Sequence, residues 1–141
     1  MHKLLVAYDA SPAARRALEY VVATFGGGAP VQVIVLNVQE RPVCVDGFTG
    51  TMMDEFERSL REEGERIVLE AAEVLQGGGI AHRLHVQLGA TAQTIADQAE
   101  SYGCDAIVMG THGHGALTGL LLGSTATKVI HLVNVPVTLV K

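Results

Sequence analysis

The chain has 141 residues, of which 48% are hydrophobic and 18% are charged. This composition is typical of a folded globular domain. Its net charge of -5 and the absence of a Lys/Arg cluster argue against a nucleic-acid partner. No stretch approaches the roughly 20 apolar residues that cross a bilayer, and Asp9 interrupts the apolar N-terminus too early for a secretion signal. We therefore expect one domain over residues 1–141, located in the cytoplasm, without a membrane partner.

Apolar periodicity and glycine-rich boundaries divide the chain into alternating strands and helices. The strands are predicted over Lys3–Tyr8, Val31–Val38, His82–Leu88, Asp105–Met109 and Val137–Val140. The helices are predicted from Pro12 to the glycines at 26–28, and over Met53–Gln76, Ala92–Tyr102 and Ser124–Leu132. This order predicts a single-domain, doubly wound α/β fold, Rossmann-like, with a five-stranded, mostly parallel sheet and helices on both faces.

Three segments carry more detailed predictions. The long second helix is expected to bury one face, which begins with Phe56 and Leu60, and to expose its Glu- and Arg-rich face. His82–Leu88 is a more polar strand, which favours a place near the sheet edge. Gln39–Thr51 is longer than most connections in compact domains, so it is either a functional flap or an ordinary surface loop.

The most informative segment, Met109–Thr125, has the sequence MGTHGHGALTGLLLGST and joins a buried strand to a helix. Glycine is required where the backbone adopts a positive φ or comes close to a ligand. A helix N-terminus supplies unpaired N–H groups and a partial positive charge. Together these features predict an anion site, most simply a phosphate site. Glycines that only form turns are the alternative, and Ser124 suits the N-cap of the last helix in either case.

The sequence also predicts where this site lies in the fold. Open α/β sheets bind ligands beyond the carboxyl ends of their strands, at the point where the strand order reverses. Tyr8–Asp9, Val38 and Gly110 each follow such an end. If the first and fourth strands are neighbours, the crevice between them holds a nucleotide whose phosphates rest on Gly113, Gly123, Ser124 and Thr125.

Two competing phosphate motifs fail on residue identity. Gly110 and Gly115 have the spacing of a P-loop, but Ala116 stands where that motif requires lysine. Gly113 and Gly115 open a dinucleotide fingerprint, but Thr118 replaces its third glycine, and the segment lies near the wrong end of the chain.

The spacing G-x2-G-x9-G-[ST], formed by Gly110, Gly113, Gly123 and Ser124, resembles the ATP-binding branch of the universal stress protein family. VAYDAS after the first strand, VLNV in the second, GLLLGS before the last helix and the closing PVTLVK are also similar to that family. The resemblance covers essentially the whole chain and implies the nucleotide α-hydrolase-like version of the fold.

The resemblance also implies a role for individual residues. The backbone of Ala7, Tyr8 and Asp9 would line the nucleoside pocket, and the backbone of Val38 would meet the adenine edge. The Asp9 carboxylate would contact the sugar or a phosphate-bound Mg²⁺, although it also suits a helix cap. Met109 and Gly110 would lie beneath the ribose and phosphates, with the triphosphate surrounded by Gly113, Gly123, Ser124, Thr125 and Ala126. A hydroxyl is sometimes found in the family where this chain has Ala126.

Other candidate chemistry is sparse. His82 and His85 are three apart on a predicted strand, so they point to opposite faces and do not chelate one metal together. His112 and His114 lie in the glycine-rich segment and are candidates for contacts with ligand or metal. Cys44 and Cys104 are expected to be reduced thiols, since two distant cysteines do not make a disulfide scaffold.

Gly110–Ser124 contains no Lys, Arg, Asp or Glu, whereas fast hydrolysis needs a positioned base or a cation near the γ-phosphate. The sequence therefore favours binding over turnover, and the resemblance implies an ATP-binding regulatory or stress-response protein, with AMP or ADP as other ligands. A slow Mg²⁺-dependent ATPase or phosphoryl-transfer enzyme is the alternative, and a nucleotide-free interaction module is a third interpretation. The last strand would be an exposed edge, and in the resembling family it pairs across a two-fold axis, which implies a homodimer.

Overall fold

The computed structural model describes residues 1–43, 46–114 and 122–141. Cys44 and the segment 115–121, which includes part of the glycine-rich sequence, lie outside the described residues. The strands are β1 (His2–Ala7), β2 (Val31–Gln39), β3 (Ala81–Leu88), β4 (Ala106–Gly110) and β5 (Val137–Val140). The helices are α1 (Pro12–Phe25), α2 (Gly50–Gly77), α3 (Thr91–Ser101) and α4 (Ser124–Leu132).

The strands form one sheet in the order β3-β2-β1-β4-β5, and every pairing is parallel. The predicted doubly wound α/β fold is confirmed, with a sheet that is entirely parallel over these five strands. β1 and β4 are neighbours, with Ala7 opposite Met109, and β3 lies at the edge as its polarity predicts. After β1, the chain adds β2 and β3 on one side of β1, and it then crosses over to add β4 and β5 on the other side. The switch point therefore lies at the carboxyl ends of β1 and β4.

The helices cover both faces of the sheet. One apolar cluster joins alternate residues of β1 and β2 to α1 and α2, and it includes Val6, Val33, Leu18, Val21, Val68 and Leu75. The second cluster joins the other alternate residues to α3 and α4, and it includes Leu5, Ile34, Leu36, Ile95, Ile107 and Val129. Because successive strand residues point to opposite faces, the near-continuous apolar runs of β1 and β2 supply both layers.

The long helix α2 differs from its prediction in two ways. It begins at Gly50, three residues earlier than expected, because the Thr49 side chain accepts the Met52 N–H. The prediction that Phe56 is buried is wrong, since this side chain is 40% exposed. Burial starts at Gly64. At about 1.5 Å per residue a helix of 28 residues is about 42 Å long. The nine-residue β2 spans only about 30 Å, so the first turns of α2 extend past the sheet.

The bounds of α4 agree with its prediction, but its cap residue does not. Gly123 is the N-cap and Ser124 is the first helical residue, so the expected Ser124 cap is wrong.

Within the described residues, no helix combines the length and apolarity of a membrane span. Cys104 is buried at the end of α3, and burial raises the pKa of its thiol.

Candidate functional site

A cavity of about 470 Å³ lies at the switch point. Its lining includes every predicted site residue except Ala126: Ala7, Tyr8, Asp9, Val38, Met109, Gly110, Gly113, Gly123, Ser124 and Thr125. Ala126 is 2% exposed and packs in the core beneath α4. The remaining lining residues, which the sequence did not single out for this cavity, include Asn37, Thr91 and Ile95. The volume falls within the range of about 300–1,000 Å³ that small-molecule sites occupy.

The turn between β1 and α1 presents the Asp9 carboxylate to this cavity. Ala10 has a φ of 62°, a left-handed conformation that costs a non-glycine residue about 1–2 kcal/mol. The Ser11 N–H donates to Asp9 Oδ1 (2.9 Å), and Ser11 Oγ in turn accepts the Ala14 N–H (3.3 Å). Ser11 is therefore the cap of α1, as predicted, while Asp9 fixes the turn before it.

The segment after β4 lies directly against this turn. The His114 Nε2–H donates to the Asp9 carbonyl (2.6 Å), and Ser11 Oγ donates to the His112 carbonyl (3.4 Å). A Cβ added at Gly113 would lie 2.7 Å from Asp9 Oδ2. Glycine at 113 thus allows the backbone to approach the carboxylate, and both segments meet over one side of the cavity.

The other two glycines of the motif are also required by close approach. A Cβ at Gly110 would lie 2.7 Å from Ala13 Cβ and 2.9 Å from the Ala13 carbonyl carbon. A Cβ at Gly123 would lie 3.0 Å from the Thr111 carbonyl oxygen, which accepts the Gly123 N–H at 2.7 Å. None of the three has a left-handed φ. The spacing of the motif therefore reflects tight backbone packing around the cavity.

The N-terminus of α4 faces this cavity without a side-chain cap. Its cap residue, Gly123, has no side chain, and among the described residues no side chain accepts from the first turn. The first helical N–H groups have no partner within a helix, and the aligned peptides give this end a partial positive charge. Ser124 and Thr125 line the cavity. This end of the cavity is therefore suited to an anion.

The backbone of Val38 also faces the cavity. The Leu36 carbonyl accepts the Tyr8 N–H (2.9 Å), whereas the Gln39 carbonyl accepts the Gly89 N–H beyond β3 (3.0 Å). Backbone groups in a parallel strand alternate between its two neighbours, so the N–H and C=O of Val38 point toward β1. The paired part of β1 ends at Ala7, opposite Leu36. Val38 therefore presents one donor and one acceptor beyond the end of β1.

Asn37 is a buried polar residue of the cavity lining that the sequence analysis missed. It is 2% exposed, and its Nδ2 donates to the Tyr8 carbonyl at 2.9 Å. Its Oδ1 accepts from Gln39 Nε2 at 2.8 Å. The signal that points to it is a polar residue within the otherwise apolar run from Val33 to Val38.

Tyr8 contributes its backbone to the cavity, while its side chain lies on the opposite side, between α1 and α2. The phenol donates to Glu70 Oε1 (2.7 Å), which also accepts from Arg15 Nε (2.8 Å). Burial, together with the Glu70 carboxylate, raises the pKa of Tyr8 to about 12. The hydrogen bond from Arg15, followed by that from Tyr8, lowers the pKa of Glu70. This cluster anchors the end of β1 to both helices.

The charge of the cavity is modest. Among the lining residues in the described part of the chain, Asp9 is the one carboxylate, and His112 and His114 are the other titratable side chains apart from Tyr8. No group of three potential metal ligands is present in residues 1–43, 46–114 and 122–141. A single carboxylate fits Mg²⁺ when phosphate oxygens and water complete the coordination shell.

A doubly wound α/β domain with a glycine-lined cavity at its switch point defines the class of this protein. The chain matches the universal stress protein family over residues 1–141, and it belongs to that family. It is 29% identical to universal stress protein YxiE of Bacillus subtilis, over 99% of each chain.

Universal stress protein MJ0577 of Methanocaldococcus jannaschii is 32% identical over 99% of this chain and 94% of that protein. The solved MJ0577 structure matches with a TM-score of 0.86 at 31% identity, covering 99% of this chain and 94% of that chain. A universal stress protein family member from Arabidopsis thaliana, solved with AMP bound, shares the fold with a TM-score of 0.71. That chain is 15% identical, with 100% of this chain and 92% of that one covered.

Proposed function

We propose that the cavity binds an adenine nucleotide and that ATP is its preferred ligand. We also propose that the protein acts as a nucleotide-dependent regulatory or stress-response protein in the cytoplasm. The observation that carries this proposal is the uncapped N-terminus of α4, which opens into a glycine-lined cavity at the switch point. The AMP bound by the related Arabidopsis protein supports the same ligand class.

The nucleoside half of the proposal rests on Val38. Adenine presents an acceptor at N1 beside a donor at N6, which complements the N–H and C=O that Val38 directs past the end of β1. Guanine presents the reverse pattern, with a donor at N1 and an acceptor at O6. The backbone of Ala7 and Tyr8 and the side chain of Met109 would then enclose the base and ribose. ATP is therefore expected to bind more tightly than GTP.

The phosphate half rests on the two segments that meet at Asp9. The first N–H groups of α4, at Ser124, Thr125 and Ala126, would donate to phosphate oxygens, with Gly113 and Gly123 leaving room for them. Asp9 Oδ1 is held by the turn, so Oδ2 is the oxygen that would contact the ribose or a Mg²⁺ ion on the phosphates. A bound Mg²⁺ would neutralise the charge that Asp9 and the phosphates share.

The same site supports binding more than turnover. Fast phosphoryl transfer uses a cation at the γ-phosphate and a positioned base. The lining residues in the described part of the chain contain no Lys or Arg, and the sequence from Gly110 to Ser124 has neither of them nor an acidic residue. We expect steady-state phosphate release with Mg²⁺-ATP to stay far below one turnover per second, the lower end of typical enzyme rates.

Isothermal titration calorimetry with Mg²⁺-ATP and Mg²⁺-GTP tests this proposal. Gly113→Ala is expected to weaken ATP binding because its Cβ displaces the Asp9 carboxylate. The matched control is Gly77→Ala, where an added Cβ meets nothing within 4 Å and the site is remote. Absence of ATP binding by the unmodified protein would overturn the proposal, as would equal affinity of both variants for ATP.

We also propose that the protein is a homodimer through β5. The carbonyls of Pro136 and Val140 accept from β4-side residues Ile107 and Thr111 (2.9 and 2.8 Å), so Val137 and Leu139 direct their backbone groups to the free edge. Leu139→Pro removes one outward N–H and is expected to convert the dimer to a monomer in light scattering. A monomeric unmodified protein, or a variant that stays dimeric, would contradict this proposal.

A further inference from the structure

The end of the β1–β2 ladder is unusual because a side chain takes the place of a backbone donor. The ladder closes with the Tyr8 N–H on the Leu36 carbonyl. The next bond in a regular parallel ladder would join the Val38 N–H to the Tyr8 carbonyl. Instead, the Tyr8 carbonyl accepts from Asn37 Nδ2 at 2.9 Å, and the strand pairing stops at Ala7 and Leu36.

From this substitution we infer that Asn37 is a positioning residue that keeps the Val38 N–H available for a nucleobase. It binds the carbonyl that would otherwise attract the Val38 N–H, and it does so from a fully buried position. This inference rests on the proposed adenine site, since it assigns the origin of the preference for adenine within that site.

The surroundings of Asn37 fix the direction of its amide. A carbonyl only accepts hydrogen bonds, so the group that faces Tyr8 must be the NH₂ of Asn37. Its oxygen is then directed to Gln39 Nε2 (2.8 Å). On the other side α2 closes over it, because a Cβ at Gly64 would lie 3.0 Å from Asn37 Oδ1. The side chain therefore has one hydrogen-bonded arrangement and little room for another.

The position of the contact explains why it bears on the base rather than on the phosphates. Asn37 touches Tyr8 and Gln39, whereas the proposed phosphate subsite lies at Gly113 and the start of α4. Loss of the Asn37 donor would leave the Tyr8 carbonyl free to recruit the Val38 N–H. Adenine N1 would lose its donor, while the phosphates would keep all of their contacts.

The variant that tests this inference is Asn37→Leu, which keeps the branching at Cγ and removes the donor. We expect ATP affinity to fall about tenfold or more, because a buried site with a mispaired polar group discriminates strongly. The ATP-to-GTP affinity ratio should fall with it, while the affinity for inorganic tripolyphosphate with Mg²⁺ should stay within twofold. Asn37→His, which can still donate toward Tyr8, is expected to restore part of the preference for ATP.

A control is needed for a general loss of stability. Thr49→Ala removes the side-chain cap of α2 and lies outside the cavity lining, so it should destabilise the fold while preserving the ATP-to-GTP ratio. A ratio in Asn37→Leu equal to that of the unmodified protein would overturn the inference, as would an equal loss of ATP and tripolyphosphate binding. A protein that binds no ATP at all before mutation would instead overturn the proposed function.

Discussion

The N-termini of α1 and α4 lie on the same rim of the sheet, yet they are completed in opposite ways. α1 is closed by its own residues: Ser11 Oγ accepts the Ala14 N–H, and Asp9 holds the turn before it. α4 begins after Gly123, and no described side chain accepts from its first turn. A capped helix end gains about 1 kcal/mol in the free protein, whereas an uncapped end leaves its donors and partial charge for a ligand.

The other helices strengthen this contrast. Thr49 caps α2, and Glu40 Oε1 lies 3.4 Å from the Thr91 backbone nitrogen at the start of α3. Within the described residues, α4 is the helix whose first turn has no such acceptor. The difference leaves the N–H groups of the first turn of α4 available to the cavity that Gly113 and Val38 also line.

The largest expected effect comes from closing this helix end with a charge. Ser124→Asp places a carboxylate at the first position of α4, where it interacts well with the helix but repels phosphate. We expect ATP affinity to fall about a hundredfold or more, since like charges about 4 Å apart interact by about 4 kcal/mol near a protein surface. Calorimetry would measure the affinity, and thermal denaturation should show unchanged or slightly higher stability. Ser124→Asn is the uncharged control, and unchanged affinity in Ser124→Asp would remove α4 from the site.

A smaller effect is expected from removing a single donor. Ser124→Pro deletes one N–H at a position where helices accept proline, and Gly123 already has the extended backbone that precedes proline (φ -71°, ψ 163°). ATP affinity should fall about ten- to a hundredfold, the value of one hydrogen bond to a charged group. Gly50→Pro makes the same change at the first residue of α2, where a Cβ meets nothing within 4 Å. Equal affinities of the two variants would contradict a phosphate contact at residue 124.

Removing a helix cap outside the cavity is expected to lower stability without changing ATP affinity. Thr49→Ala deletes the acceptor of the Met52 N–H and should lower the free energy of unfolding by about 1 kcal/mol. The Kd for ATP should not change, because Thr49 lies outside the cavity lining. Urea denaturation and calorimetry on the same samples would separate the two quantities. A Kd that rises together with the loss of stability would show that affinity merely follows stability.

The smallest expected effect is on stability, and it comes from the ion pair between Arg15 of α1 and Glu70 of α2. Arg15, on the first turn of α1, lowers the pKa of Glu70, so this pair stabilises the fold above the ordinary Glu pKa. The contribution is lost as the pH falls through the lowered value. The stability difference between the unmodified protein and Arg15→Ala should therefore shrink on acidification below about pH 4. Both side chains are at least one-third exposed, so the difference at neutral pH is expected to be small. A difference independent of pH would show that Arg15 acts through packing alone.

Much of the fold follows from local patterns. Apolar runs, helical spacing and the separating glycines predict the order of all the elements. They also predict the bounds of β1, β2, α1 and α3 to within a residue or two. The same patterns do not predict how far each element extends beyond its neighbours. Phe56 satisfies the helical spacing of a buried face, but α2 is longer than the sheet it covers, so Phe56 is exposed.

Some residues of the candidate site could likewise be predicted from the sequence, and others could not. Gly110, Gly113 and Gly123 stand out in the sequence because of their spacing, and all three line the cavity. Asn37 did not stand out, because its importance depends on where the Tyr8 carbonyl lies, 29 positions earlier in the chain. Ser124 was expected to be a cap, but the cap is Gly123, which leaves Ser124 as the first residue of the first turn.

The sequence by itself determined the class of fold, the location of the candidate site at the carboxyl ends of β1 and β4, and the glycines that border this cavity, since each of these depends on local spacing and polarity. The tertiary structure alone decided which polar groups are already paired. Asn37, Glu70 and the Asp9 carbonyl find partners on other segments, whereas the first turn of α4 and the Val38 backbone are directed into the cavity. That division follows from distances between segments far apart in the chain, and those distances are fixed only when the sheet and its helices pack.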